Sequence, residues 1–237
     1  RSAIYDENGE LLVFTPLSGD SPDKYFDENF QVKSTVRVEE FVEGTMINLF
    51  HHNNEWTIAT KNSVGGNNSF YIIGNTRQMS FRSMFDECCK DEGLDVNDLD
   101  KTFIYSFVMK HTNNRIINKP TSNMLYLIAA YKRPGHESSF PETINMVKNL
   151  RDVMPVLGFG ESSVLTPAIF NVDGNMSKKY VVDKFAQPYT CYSIMGVSLF
   201  DTETGTRSKY RNPAYEVLKK LRGNQAKVEY HLSLIHI

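Results

Sequence analysis

Apolar residues fall into short, dense runs separated by polar turns, and the spacing inside each run predicts an element. Arg1–Tyr5 and Glu10–Phe14 read as two strands around the turn Asp6-Glu7-Asn8-Gly9, a hairpin signal. Thr45–His51 and Glu55–Lys61 repeat the pattern around His52-Asn53-Asn54. Ser80 stands as an N-cap before Phe81, Met84, Phe85 and Cys88, which recur at helical spacing. Thr102–Met109 and Met124–Tyr131 are dense in β-branched and aromatic residues and predict buried strands. Pro141–Met154 predicts a helix, and Tyr180–Val182 and Ile194–Phe200 predict further strands. Pro213 opens a last helix, Ala214–Leu221, which stops at Gly223.

Hairpins with helices between them, without a βαβα alternation, predict an α+β fold rich in antiparallel sheet. Residues 15–35 are a polar connector, and no internal repeat or low-complexity segment appears. One domain is expected over residues 1–224, with a non-structural tail over 225–237. The last seven residues, HLSLIHI, share no pattern with the rest and resemble a translated sequencing adapter. The chain opens at Arg1 inside a predicted strand, so an N-terminal piece is expected to be missing.

Composition narrows the class of protein. At 237 residues with 41% hydrophobic and 23% charged residues the chain is an ordinary globular one, able to bury a sizeable core. No apolar run reaches the roughly 18–20 residues of a membrane span, and no signal-peptide pattern occurs, so a soluble protein of the cytoplasm, or of a virus-infected cell, is expected. Cys88 and Cys89 are adjacent and Cys191 is remote, which predicts reduced thiols. The formal net charge of −2 does not mark a dedicated nucleic-acid binder. Its distribution says more: Arg207, Lys209, Arg211, Lys219, Lys220 and Arg222 crowd one stretch, opposed by Glu216, a patch suited to a phosphate-bearing ligand. His51 and His52 point to opposite faces of a strand and make poor joint metal ligands.

No Walker A loop, G-x-G-x-x-G, H-E-x-x-H or G-x-S-x-G occurs. Five short patterns do occur in a fixed order: Phe41-Val42-Glu43-Gly44-Thr45 before a strand; Trp56–Ser63, ending in Thr60-Lys61; Phe107–Ile117, containing Asn114-Arg115-Ile116; Met195-Gly196-Val197; and Gly205–Asn212, with Lys209 and Arg211 alternating.

In that order they resemble the motifs of the covalent nucleotidyltransferase superfamily of ATP-dependent ligases and mRNA-capping enzymes. They are most similar to the phage-type RNA ligase 1 group, as found in large DNA viruses and phages. The resemblance runs from Arg1 to about Asn224. It implies the nucleotidyltransferase fold, ATP and Mg²⁺ as cofactors, and nucleotide and RNA ends as partners. It further implies nucleotide-binding roles for Glu43, Gly44, Thr45, Lys61, Arg115, Lys209 and Arg211. The departures are as informative. Phe41 stands where the family has its lysine nucleophile, Met195 where it has a metal-binding glutamate, and Ser106 near a further family glutamate. Two readings follow: an RNA ligase-like nucleotidyltransferase, or an inactive homologue that binds nucleotide or RNA ends through retained cations. A protein-interaction module on the same fold is the third.

Overall fold

In a computed structural model of the protein, the residues described are 3–9, 11–16, 19–68, 79–133, 149–171 and 176–223. The first hairpin joins β1 (Ala3–Tyr5) to β2 (Leu11–Phe14), with Gly9 N donating to Asp6 O across the turn at 3.1 Å. β3 (Val36–Glu40), which the residue pattern did not single out, follows the polar connector. β4 (Thr45–His52) and β5 (Glu55–Ala59) form the second hairpin, its turn made by Asn53 and Asn54 at φ 49° and 61°. Asparagine tolerates this left-handed conformation better than most residues, which is why Asn-Asn suits the place.

Ser80 caps α1 (Phe81–Asp91) as predicted, its Oγ accepting from Ser83 N at 3.1 Å. Then come β6 (Phe103–Lys110), β7 (Met124–Lys132) and the short α2 (Leu150–Val153). The predicted helix over 141–154 survives there in its last turn, and residues 141–148 lie outside the described residues.

The predicted strand Tyr180–Val182 is a correction: the segment is the helix α3 (Lys178–Phe185). Its Tyr-Val-Val run carries strand propensity, but Ser177 Oγ caps Tyr180 N at 3.2 Å, and Val181 and Phe185 are buried one turn apart. Tertiary packing of that stripe outweighs a propensity difference of a few tenths of a kcal/mol per residue. β8 runs Gly196–Asp201, starting later than the predicted Ile194, because Ile194 N turns back onto Cys191 O. β9 (Arg207–Arg211) and α4 (Pro213–Arg222) complete the chain, with Asn212 capping α4.

Among the described residues the strands pair antiparallel: β1-β2, a three-stranded sheet β3-β8-β9, and a four-stranded sheet β5-β4-β6-β7. Alternation along the strands sorts residues between two faces. One face of the larger sheet, with Ile47, Leu49, Phe107, Met109 and Leu127, packs on Phe81, Met84, Phe85 and Cys88 of α1. Each such side chain contributes about 1.5–3 kcal/mol by burial. Val36, Val38, Val197 and Leu199 of the smaller sheet pack instead on Val181 and Phe185 of α3. The two remaining faces look toward each other.

Segment 165–170 ties the sheets together. Leu165 exchanges backbone hydrogen bonds with Leu125 and Leu127 of β7, and Ala168 O and Phe170 N bond Glu40 N and Val38 O of β3. Among the described residues no helix is long and apolar enough to cross a membrane.

The cysteines are free, with Cys88 and Cys89 buried in α1 and Cys191 exposed. Burial pushes both α1 thiols up to about 12, while a hydrogen bond with Ser193 pulls the Cys191 thiol down. The thiolate is the reactive form. Near neutral pH a maleimide should therefore label Cys191 alone, and Cys88 and Cys89 should react only after denaturant is added. Mass spectrometry of labelled peptides reads this directly.

Candidate functional site

The chain crosses from the smaller sheet to the larger one at residues 41–44, between β3 and β4. The crossing is tight. A Cβ on Gly44 would stand 2.5 Å from Val108 Cγ1 and 2.6 Å from Met109 O, so only glycine fits. Next to it, the Glu43 carboxylate accepts from Ile117 N at 2.6 Å, Asn118 N at 3.2 Å, Asn118 Nδ2, and the buried Tyr215 hydroxyl of α4 at 3.1 Å. Burial, with the adjacent carboxylate, pushes the Tyr215 phenol up, so it stays a donor. Thr45 Oγ1 accepts from Asn114 Nδ2 at 2.8 Å, fixing the next step of the chain.

Between the facing sheets lie two adjoining cavities, of about 190 and 600 Å³, and Glu40 and Phe41 line both. The smaller has an apolar wall of Val42, Met46, Val108, Ile128 and Pro167, and a cationic side of Lys61, Arg207 and Lys209. Lys209 Nζ lies 4.9 Å from the centroid of the Phe41 ring. Glu39 balances part of this charge and pairs with Arg37 at 2.9 Å. Burial lifts its carboxyl above the usual range, against the pull of Arg37 and Arg207. The larger cavity is lined by Lys110, Lys119 and Lys184 and by Glu43, Met195 and Gly196 among others. Gly196 is at φ 135°, and a Cβ there would stand 2.1 Å from Tyr210 O.

The residues singled out from sequence divide accordingly. Glu43 and Gly44 line the larger cavity, Lys61 and Lys209 the smaller, and Phe41 both. Thr45, Arg115 and Arg211 line neither. Arg115 Nε donates to Ile117 O at 2.9 Å, and Arg211 Nη1 sits 2.7 Å from Glu216. Ser106 is buried, its Oγ donating to Asn48 Oδ1 at 2.7 Å, and it is Asn48 that reaches the smaller cavity.

Arg207 stood out in sequence as part of the cationic patch but not among the nucleotide-binding residues, although strand alternation carries it there. Arg207, Lys209 and Arg211 share one face of β9, and the Arg207–Lys209 end of that face lines the cavity. Lys119 and Lys184 lie in no motif, and Lys110, though inside the Phe107–Ile117 pattern, was not singled out there.

Among the described residues no three His, Cys, Asp or Glu side chains gather as a metal site. Glu43 already takes its hydrogen bonds and Glu39 is paired with Arg37, so Glu40 is left as the cleft carboxylate without an assigned tie. A hard divalent cation prefers several oxygen ligands, and a resident one does not fit this donor set. The smaller cavity suits a flat, weakly polar body against its apolar wall and an anionic group against its cations.

In fold, this arrangement of two facing antiparallel sheets is similar to RNA ligases. The particular structures are of Naegleria gruberi RNA ligase. One, with pyrophosphate, gives TM-score 0.51 at 11% identity over 88% of this chain and 63% of the ligase chain. Two point mutants with ATP and Mn give TM-scores of 0.51 and 0.50 at 10% and 11% identity, over 78% and 79% of this chain. The chain spans about half to just under two thirds of those ligases. No family model matches the chain, and no curated protein matches it.

The Glu43 tie gives a direct expectation for stability. Glu43→Ala leaves Ile117 N, Asn118 N and the Tyr215 hydroxyl without their acceptor, and should cost about 2–3 kcal/mol. Urea unfolding of the two proteins measures it. An unchanged midpoint would show that water replaces the carboxylate and that the tie is dispensable.

Proposed function

We propose that the chain is an RNA ligase-like nucleotidyltransferase domain that takes ATP in the cleft between its two main sheets and acts on RNA ends. The observation that carries this reading is the meeting of Lys61, Arg207 and Lys209 with an apolar wall in the smaller cavity, beside the loop 41–44. The likeness of fold to RNA ligases supports it, as do the five motifs in their order. On this reading the base lies against Val108 and Ile128, and the cations hold the phosphates as charge-assisted donors. Any Mg²⁺ would be carried in by the nucleotide's phosphates. Transfer to the protein requires an unprotonated amine that forms a P–N bond at the α-phosphate as the bond to the β-phosphate breaks and pyrophosphate leaves. With Phe41 in the loop, we take Lys209 as that amine, because its Nζ lies 4.9 Å from the centroid of the Phe41 ring, with Lys61 of the same cavity as the alternative.

A second reading is favoured by Phe41 and Met195, which stand where the resemblance implies a nucleophile and a metal-binding carboxylate. It is a domain that binds nucleotide or RNA ends without transfer. Intact mass after incubation with ATP and Mg²⁺ or Mn²⁺ separates the two. A nucleotidyl adduct mapping to Lys209 supports the enzyme. Its absence, in a protein that gains thermal stability from ATP, supports the binder, and neither adduct nor stabilisation removes both.

Two variants sharpen the result. Lys209→Ala should weaken ATP binding about tenfold, the loss of one charge-assisted contact. Phe41→Lys, which supplies an amine at the loop, should produce or increase the adduct if the cleft presents the α-phosphate there.

A further inference from the structure

Buried aromatic rings are expected in a domain of this size, whereas exposed ones clustered in one short segment are not. Tyr180, Tyr189 and Tyr192 are exposed by 48%, 79% and 53%, and they fall within thirteen residues, on α3 and the loop after it. The loop is not loosely held. The buried amide of Asn212 donates to Cys191 O at 2.9 Å and Ile194 O at 2.8 Å, and its Oδ1 caps α4 through Ala214 N at 2.9 Å. Gln187 N donates to Thr190 Oγ1 at 3.1 Å, closing the turn that carries Tyr189. The backbone is thus fixed by hydrogen bonds, three of them from the buried Asn212, while the three tyrosines are exposed.

The same segment forms a side of the larger cavity. Lys184, Phe185, Ser193 and Ile194 line it, and Asn118 Nδ2 donates to Ser193 O at 3.2 Å from the opposite side. Lys184 Nζ donates to the Tyr180 hydroxyl at 3.1 Å, so one exposed ring is coupled directly to a cavity cation. Lys110 and Lys119 line the same cavity. Along 178–192 there are three lysines, Lys178, Lys179 and Lys184, against one acid, Asp183, which accepts from Gln187 Nε2. Lys178 is paired with Asp23 at 2.6 Å.

Aromatic rings held on a firm backbone, next to cations leading into a cleft, suit a chain of stacked bases joined by phosphates. A docking protein would find a polar, cationic rim and a cavity behind it. An unpaired polynucleotide finds a ring for each base and lysines for its backbone. We infer that Tyr180, Tyr189 and Tyr192 form a stacking platform for single-stranded RNA that feeds its end into the larger cavity. This rests on the reading of the cleft as a nucleotide site, and adds to it the path of the second substrate.

Fluorescence anisotropy with a short 5′-phosphorylated single-stranded RNA tests the platform on the full chain. Tyr189→Ala and Tyr192→Ala should each weaken binding about tenfold, within the range for losing one base–aromatic stack. The corresponding Phe variants should bind as the unsubstituted protein does. The same oligomer with abasic sites should bind more weakly to the unsubstituted protein and equally to it and the Ala variants. ATP thermal stabilisation should be unchanged in all of these variants, so the platform and the nucleotide site fail independently. Ala variants that bind RNA as well as the unsubstituted protein would overturn the proposal, as would equal binding of the abasic oligomer. So would an absence of RNA binding together with a tyrosine-dependent dimer on size-exclusion chromatography, which would make the surface a self-association face.

Discussion

Glu43 holds the carboxylate on which the site depends. It sits on the link between the two main sheets, and its oxygens gather the 116–118 turn and the hydroxyl of Tyr215 on α4. These partners lie more than seventy residues away in sequence, so the tie is a long-range contact. Hydrogen bonds to a charged acceptor are stronger than those between neutral groups. Without them the 41–44 link keeps Gly44 against β6 and Val42 in its apolar cluster but loses its polar tie. Phe41, two residues before Glu43, takes its place between the cavities from that anchor.

The cleft is electrostatically lopsided by construction. Strand period two gives the larger sheet an apolar face at Met46, Val108 and Ile128, and gives the smaller sheet a charged one at Glu39, Arg207 and Lys209. The outer faces of both sheets are closed by α1 and α3. The unlike inner faces meet across space instead of interlocking, and that is why a cavity persists there. Low-dielectric apolar walls strengthen the field of the cations.

Much of this architecture could be read from the residues. Both hairpins, the Ser80 cap, β6, β7 and α4 follow local rules of turn chemistry, capping and β-branched density, and each stands where those rules put it. α3 was misread because Tyr180-Val181-Val182 is locally β-like, and its helicity comes from packing on β8 and a single serine cap. β3 escaped because Arg37, Glu39 and Glu40 dilute its pattern, and charges on a cleft-facing strand look like loop to a reading of hydrophobicity. Within the site, Glu43 stood out in sequence as a binding residue, yet its role as a structural tie depends on Ile117 and Tyr215, which no spacing announces. Arg207 was legible from alternation once Lys209 was fixed. Lys110, Lys119 and Lys184 come from three separate elements and converge only in three dimensions.

Segment 165–170 pairs with β7 at one end and β3 at the other, and residues 41–44 join the same two sheets by covalent chain. An extended residue spans about 3.3 Å, so each of these short tethers has a limited reach. The two sheets are therefore held to each other twice, once by hydrogen bonds and once by the chain itself, and both tethers bound how far the cleft can open.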